Sequence, residues 1–181
     1  MLPPLRPPEE IHTARLLLRR PLLDDARSLF ERYTQDPAVT IYLTWRPHSE
    51  ISETEAFIRR CMRSWETGDA FPYAITLQEQ RDAIGMIELR MQGHKAELGY
   101  VLAREYWGRG YMTEAAEALA SWAIAQPAIY RVWALCDAEN TGSARVMEKI
   151  GMRREGILGR WIIHPNISAE PRDCYSYALT R

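Results

Sequence analysis

Lysine is almost absent from this chain. Lys95 and Lys149 are the only two, and arginine supplies the rest of the 23 basic side chains. Against 24 acidic residues the net charge is -1, so there is no basic field of the kind a nucleic-acid partner requires. Cysteine is scarce as well. Cys61, Cys136 and Cys174 are odd in number and far apart, which excludes a disulfide framework. Cys136, inside "VWALC", reads as a small core residue. No run approaches the length of about 20 apolar residues that spans a bilayer. The opening "MLPPLRPPEE" has no apolar centre, so neither a membrane segment nor a signal peptide is expected, and the expected location is the cytoplasm. His12, His48, His94 and His164 stand apart from one another. None has metal-ligand spacing, and no metal is expected.

The composition that remains is 46% apolar and 26% charged over 181 residues. That suits one domain with a full core. Residues 1–12 read as an extended, proline-rich segment and residues 13–181 as the single domain.

Periodicity places the elements. "ARLLLRR" reads as a strand and "LLDDARSLFERYTQ" as a helix ended by Asp36-Pro37. "SETEAFIRRCMRSWETG" reads as a second helix, with Ser52 and Glu55 at capping-box spacing and Gly68 as its stop. "FPYAITLQ", "AIGMIELRM" and "KAELGYVL" are three strands joined by the turns "EQRD" and "QGH". A third helix has Ala115, Ala118, Leu119, Trp122 and Ala123 on one face. "YRVWALC" is a strand, "NTGSARVMEKIG" a short helix, and "MRREGIL" and "RDCYSYAL" the last two strands. Hairpins mixed with crossovers predict an α/β (α+β) fold: a mixed sheet with helices on both faces.

The stretch "YWGRGYMTEA", Tyr106 to Ala115, sets two glycines immediately before the third helix. Unpaired N–H groups and a partial positive charge stand at a helix N-terminus, and glycine lets a ligand approach the backbone closely. The combination suits phosphate, although a tight strand-to-helix turn needs glycine too. A P-loop is excluded because Tyr111-Met112 follows Gly110 where lysine and a hydroxyl residue belong. The dinucleotide fingerprint is excluded because Thr113 replaces its third glycine and Tyr130 stands where the acid belongs.

Two segments, "AELGYVLAREYWGRGYMTEAAEALASWA" and "RVWALCDAENTGSARVMEKIGM", resemble the acyl-CoA core of the GNAT acetyltransferase superfamily. "YLTWRPHSEISETEAFI" resembles its ribosomal-protein N-terminal acetyltransferase branch. The resemblance covers the chain from about Thr13 onward. It implies a mostly antiparallel sheet of six to seven strands with about four helices. It implies acetyl-CoA as cosubstrate, and no metal or nucleic acid. It implies a primary-amine acceptor, with a protein N-terminus favoured over a polyamine, amino acid or aminoglycoside. A non-catalytic acyl-CoA sensor is the other alternative, and a homodimer is compatible with all three.

By the same resemblance the cofactor contacts are Tyr100, Val101 and Leu102 on the strand, then Trp107, Gly108, Arg109, Gly110, Tyr111, Met112 and Thr113 at the helix entrance, then Asn140 and Ser143. Trp107 and Met112 depart from the family's usual Gln/Arg and Gly/Ala, which places the phosphate contacts on backbone N–H groups. The family's strands also splay beside the cofactor. Ser143 is the candidate acid for the leaving thiolate, with Asn140 a further catalytic candidate beside it, or else Ser143 or Thr141 caps a helix. Glu97 is the candidate base, with Glu88 beside it, or each forms an ion pair. Trp45, His48 and Tyr73 are candidates, with Glu88, for the acceptor site.

Overall fold

The structure, a computed structural model, describes residues 5–181. Its eight strands are β1 (Glu10–His12), β2 (Leu16–Arg19), β3 (Phe71–Leu77), β4 (Ala83–Gln92), β5 (Lys95–Leu102), β6 (Arg131–Asp137), β7 (Arg153–Ile162) and β8 (Arg172–Thr180). The helices are α1 (Asp25–Leu29), continued by a π-helical turn, α2 (Pro37–Thr40), α3 (Ile51–Thr67), α4 (Tyr111–Ile124) and α5 (Thr141–Lys149). The order across the sheet is β1-β2-β3-β4-β5-β6-β8-β7. Every pair is antiparallel except β5 with β6.

The strand beyond the six or seven expected is β1, which pairs Ile11 with Leu18 and so builds part of the proline-rich segment into the sheet. Residues 1–4 of that segment lie outside the described residues. Pro37 begins α2 as well as ending the helix before it: Asp36 caps α2 by accepting from Ala38 N–H at 2.9 Å. The α3 cap sits two residues earlier than expected, because the Glu53 carboxylate accepts from the N–H groups of Ser49 and Glu50. Gly68 ends α3 at φ 79° as expected.

Residues 71–76 of β3 are buried in succession, because both faces of the sheet are covered. On one face α4 contributes Met112, Ala115, Ala116, Leu119, Ala120 and Ala123 to a core with Leu18, Ile75, Ile87, Leu89 and Leu98. Its alanines let the helix lie close to the strands. On the other face Thr54, Ile58 and Cys61 form the buried stripe of α3, while Trp65 near its end packs into the first core against Phe71 and Tyr73. Ile58 and Cys61 join Leu29, Tyr33, Ala74 and Met86 in the second core. All three cysteines are buried and free. Among the described residues no helix is long and apolar enough to cross a membrane.

Candidate active site

Strands β5 and β6 are paired only at Lys95–Arg131, Ala96–Val132 and Glu97–Trp133. Beyond Glu97, β5 stays with β4 to Leu102 while β6 stays with β8 to Asp137. A wedge-shaped gap therefore opens inside the sheet, as the resemblance implied. Ala103 N–H donates to the Ile84 carbonyl at 2.9 Å. Backbone direction alternates along a strand, so Gly99 and Val101 face β4 while Leu98, Tyr100 and Leu102 face the gap. Val101 is thereby corrected as an edge contact: its backbone belongs to the β4 ladder and its side chain packs against the second core. Leu98, which the sequence did not single out, has its backbone on the gap edge instead. Trp107 donates its indole N–H to the Leu102 carbonyl at 2.8 Å, leaving the Leu102 N–H toward the gap.

The helix entrance follows this strand. Gly108 has φ 73° and Gly110, the N-cap of α4, φ 79°. Both values lie in the left-handed region that strains any residue with a Cβ. No side chain caps the helix. None of the N–H groups of residues 108–113 donates to another described residue. Arg109 and Trp107 are exposed, Tyr111 and Thr113 half-buried, and Met112 is buried in the core. The side chain of Met112 is thus a packing element, and only its backbone N–H remains at the helix entrance.

After β6, the Asn140 carbonyl oxygen Oδ1 accepts from Ser143 N–H at 3.1 Å and caps α5. The cap is Asn140, so neither Thr141 nor Ser143 fills that place. Ser143 Oγ lies 2.9 Å from the Tyr100 hydroxyl, which is also 3.1 Å from the Ser143 carbonyl. Burial pushes the Tyr100 phenol far above its usual range, so it stays neutral and keeps its proton for hydrogen bonding.

Glu97 lies at the last β5–β6 pair, on the sheet face opposite α4. Arg90, its antiparallel partner, reaches both acids: Nη2 is 2.5 Å from Glu88 and Nη1 3.6 Å from Glu97. Burial pushes the Glu88 carboxyl up, and the pull of Arg90 only partly offsets it. Residues paired side by side share a face, so Trp133, Leu135 and Asp137 point the same way as Glu97.

Two loops meet on that face. Asn166 Nδ2 donates to the carbonyls of Thr40 (2.7 Å) and Trp45 (2.8 Å). The Trp45 and His48 rings lie 4.8 Å apart, and His48 Nδ1 is 2.7 Å from Thr54 Oγ1. The buried His164 ring is edge-on to Tyr42 and places Nε2 3.5 Å from Asp137, which is held by Arg172 at 2.7 Å. Trp45 and His48 are thus together, as expected. Tyr73 is not with them: it is fully buried, edge-on to Trp65, and donates its hydroxyl to the Pro8 carbonyl at 2.6 Å. Its place is in the core, because its alternation on β3 turns it away from the acceptor side.

A surface hollow of about 520 Å³ beside Arg32, Asp36, Asp82 and Arg104 includes none of these groups. Its charges are paired with one another, Arg32 with Asp82 and Arg104 with Asp36. The Asp137–His164–Arg172 cluster and the Asn166 tie were not legible in the sequence, where the residues carry no shared motif.

Residues 15–153 match the family described as Acetyltransferase (GNAT) domain. An uncharacterized N-acetyltransferase, YnaD of Bacillus subtilis (strain 168), is 33% identical over 171 residues, covering 93% of this chain and 95% of that protein. The structure of a GNAT-family acetyltransferase from Bacillus anthracis is 32% identical with a TM-score of 0.82, covering 94% of this chain and 98% of that one. The structure of RimL, a ribosomal L7/L12 α-N-protein acetyltransferase in complex with coenzyme A, has a TM-score of 0.83 at 21% identity. That likeness covers 95% of this chain and 98% of RimL and concerns the fold.

Proposed function

From the premise that the chain belongs to the GNAT acetyltransferase family, and is an acetyl-CoA-dependent N-acetyltransferase, we propose that its acceptor is the α-amine of a protein N-terminus. The observation that carries the reading is the gap beyond Glu97–Trp133, with open amides at the α4 entrance and carboxylates on the opposite face.

The amides of residues 108–113 hold the diphosphate, with Arg109 free to add a charged contact. The pantetheine arm adds its amides to the exposed edge of β5 at Leu98, Tyr100 and Leu102, a form of strand addition. The Asn140 side-chain NH2, unused by the cap, is a further donor to the arm. The thioester then lies near the vertex of the gap, where a β5 backbone N–H stabilises the developing oxyanion. Across the sheet, Glu97 takes the amine proton, directly or through water. The nitrogen forms its bond to the acetyl carbon, the C–S bond breaks and the thiolate leaves. Ser143 donates its hydroxyl proton to the sulfur and regains one from water, which in turn takes the amine proton from Glu97, while the Tyr100 hydroxyl holds Ser143 in place.

The state of the base favours an α-amine. The candidate base Glu97 is a carboxylate ion-paired with Arg90, and a carboxylate is a weak base toward either amine. Deprotonating an α-amine of pKa about 7.8 at pH 7 costs about 1 kcal/mol, against nearly 5 for lysine at about 10.4. A weak base suffices for the first. Trp45, His48 and Glu88 form the acceptor wall in this reading.

The test is release of CoA thiol from acetyl-CoA against peptides with free or blocked N-termini and against polyamines, amino acids and aminoglycosides. Release with free-ended peptides alone is expected. Release only with small amines moves the acceptor to that class, and bound CoA with no release from any amine makes the protein a sensor.

A further inference from the structure

We propose that Arg15, in the turn between β1 and β2, is a positioning residue for the diphosphate loop, neutralising Glu114 and fixing the direction of the Gly110 amide. The inference rests on reading the α4 entrance as the diphosphate site.

Glu114 stands in the first turn of α4, four residues after the Gly110 N-cap. A carboxylate there favours the positive helix end and, left free, competes with a bound anion. It is not free. Oε1 accepts from the Thr13 hydroxyl (2.6 Å) and the Arg15 backbone N–H (2.8 Å), and Oε2 accepts from Arg15 Nε (2.6 Å). Burial pushes the Glu114 carboxyl up, but these donors outweigh it and hold it below its usual range. Glu114 is thus ionised, drawn toward the hairpin and matched by one positive charge.

The same guanidinium reaches the loop. Arg15 Nη1 donates to the Arg109 carbonyl at 3.0 Å, and the group lies 4.5 Å over the Tyr111 ring. In a trans peptide the C=O and the following N–H point in opposite directions. Holding the Arg109 carbonyl toward the hairpin therefore aims the Gly110 N–H away from it. It also keeps a carbonyl oxygen, which repels phosphate, off the ligand side. A Cβ on Gly110 would only touch Arg15 Nη2, at an ordinary contact distance of 3.5 Å, so it is the φ of 79° and not space that favours glycine here.

The experiment is calorimetric titration of CoA into the wild-type protein and into Arg15→Ala, Arg15→Lys, Glu114→Gln and the Arg15→Ala/Glu114→Gln double variant, with thermal melting of each. Arg15→Ala should weaken CoA about tenfold, the size of a helix-end charge effect in a partly buried setting. Arg15→Lys keeps the charge without the fork and should fall between. Removing the stranded acid in the double variant should recover most of the loss. A hairpin that acted only as a tether would show no recovery, since the double variant restores no contact. Wild-type affinity in Arg15→Ala, or a double variant as weak as Arg15→Ala, overturns the proposal while leaving the diphosphate site standing. A wild-type protein that takes up no CoA overturns the site itself.

Discussion

The Tyr100 hydroxyl and the Ser143 hydroxyl meet at 2.9 Å, joining the strand on one side of the gap to the helix that follows the other. A buried neutral phenol behind a serine fixes that residue in place, and in the proposed reaction the serine hydroxyl faces the leaving thiolate. Ser143→Ala should lower turnover by about a hundredfold while CoA affinity changes by less than about threefold. Tyr100→Phe should fall between, and the double variant should be no worse than Ser143→Ala, because the two act as one unit. Single-turnover rates with titrated CoA affinities measure this. Unchanged turnover in Ser143→Ala removes the acid role.

Gly110 is the position where backbone shape and ligand charge coincide. Gly110→Ala retains the loop at a strain of about 1 kcal/mol. Gly110→Asp adds a charge at the proposed diphosphate site and should weaken CoA at least about tenfold beyond the alanine variant. Equal affinity for both variants by calorimetry would show that no anion sits there.

Gly85 on β4 carries a different constraint. A Cβ there would meet the Val101 carbonyl oxygen at 2.5 Å, so Gly85→Ala forces β4 from β5 beside the gap. The expected loss is about 2 kcal/mol, the cost of overpacking, read from urea unfolding midpoints. A change under about 0.5 kcal/mol would mean that the two strands are less closely held than this contact requires.

With a peptide acceptor, kcat/KM should rise with pH through a midpoint near about 7.8 and level off by about pH 9, as the α-amine loses its proton. Glu97→Gln should lower the plateau without moving its midpoint. A rise continuing past about pH 9.5 points instead to a lysine-like amine.

Stability should fall in two stages on acidification. Burial holds the His164 imidazole below its usual range against the pull of Asp137, and burial also holds His48 low. The unfolded chain takes up those protons first, so stability declines as pH drops through about 6.5. Burial raises the Asp137 carboxyl, but Arg172 and the Glu139 N–H outweigh it and the net shift is downward. Its contribution is present above about pH 3.9 and is lost as pH falls through the lower native value. His164→Gln should flatten the first decline and Asp137→Asn the second, measured by urea unfolding at pH 7.5, 5.5 and 3.5. An unchanged slope between pH 7.5 and 5.5 in His164→Gln would show that His164 takes up its proton equally in the folded and unfolded chains.

The sequence by itself determined the seven longer strands, the main helices, the glycine entrance at residues 108–110 and the stop at Gly68. Those features depend on neighbours within a few residues: apolar spacing, and the steric freedom that only glycine has at φ near 79°. Tertiary structure decided the rest. Arg15 meets Glu114 across 99 positions and Tyr100 meets Ser143 across 43. Whether Tyr73 faced the core or the acceptor, and which β5 amides faced the gap, depended on sheet register. A slip of one residue exchanges the two faces of a strand, and no local pattern in β3 or β5, buried or half-buried on both sides, records which register holds.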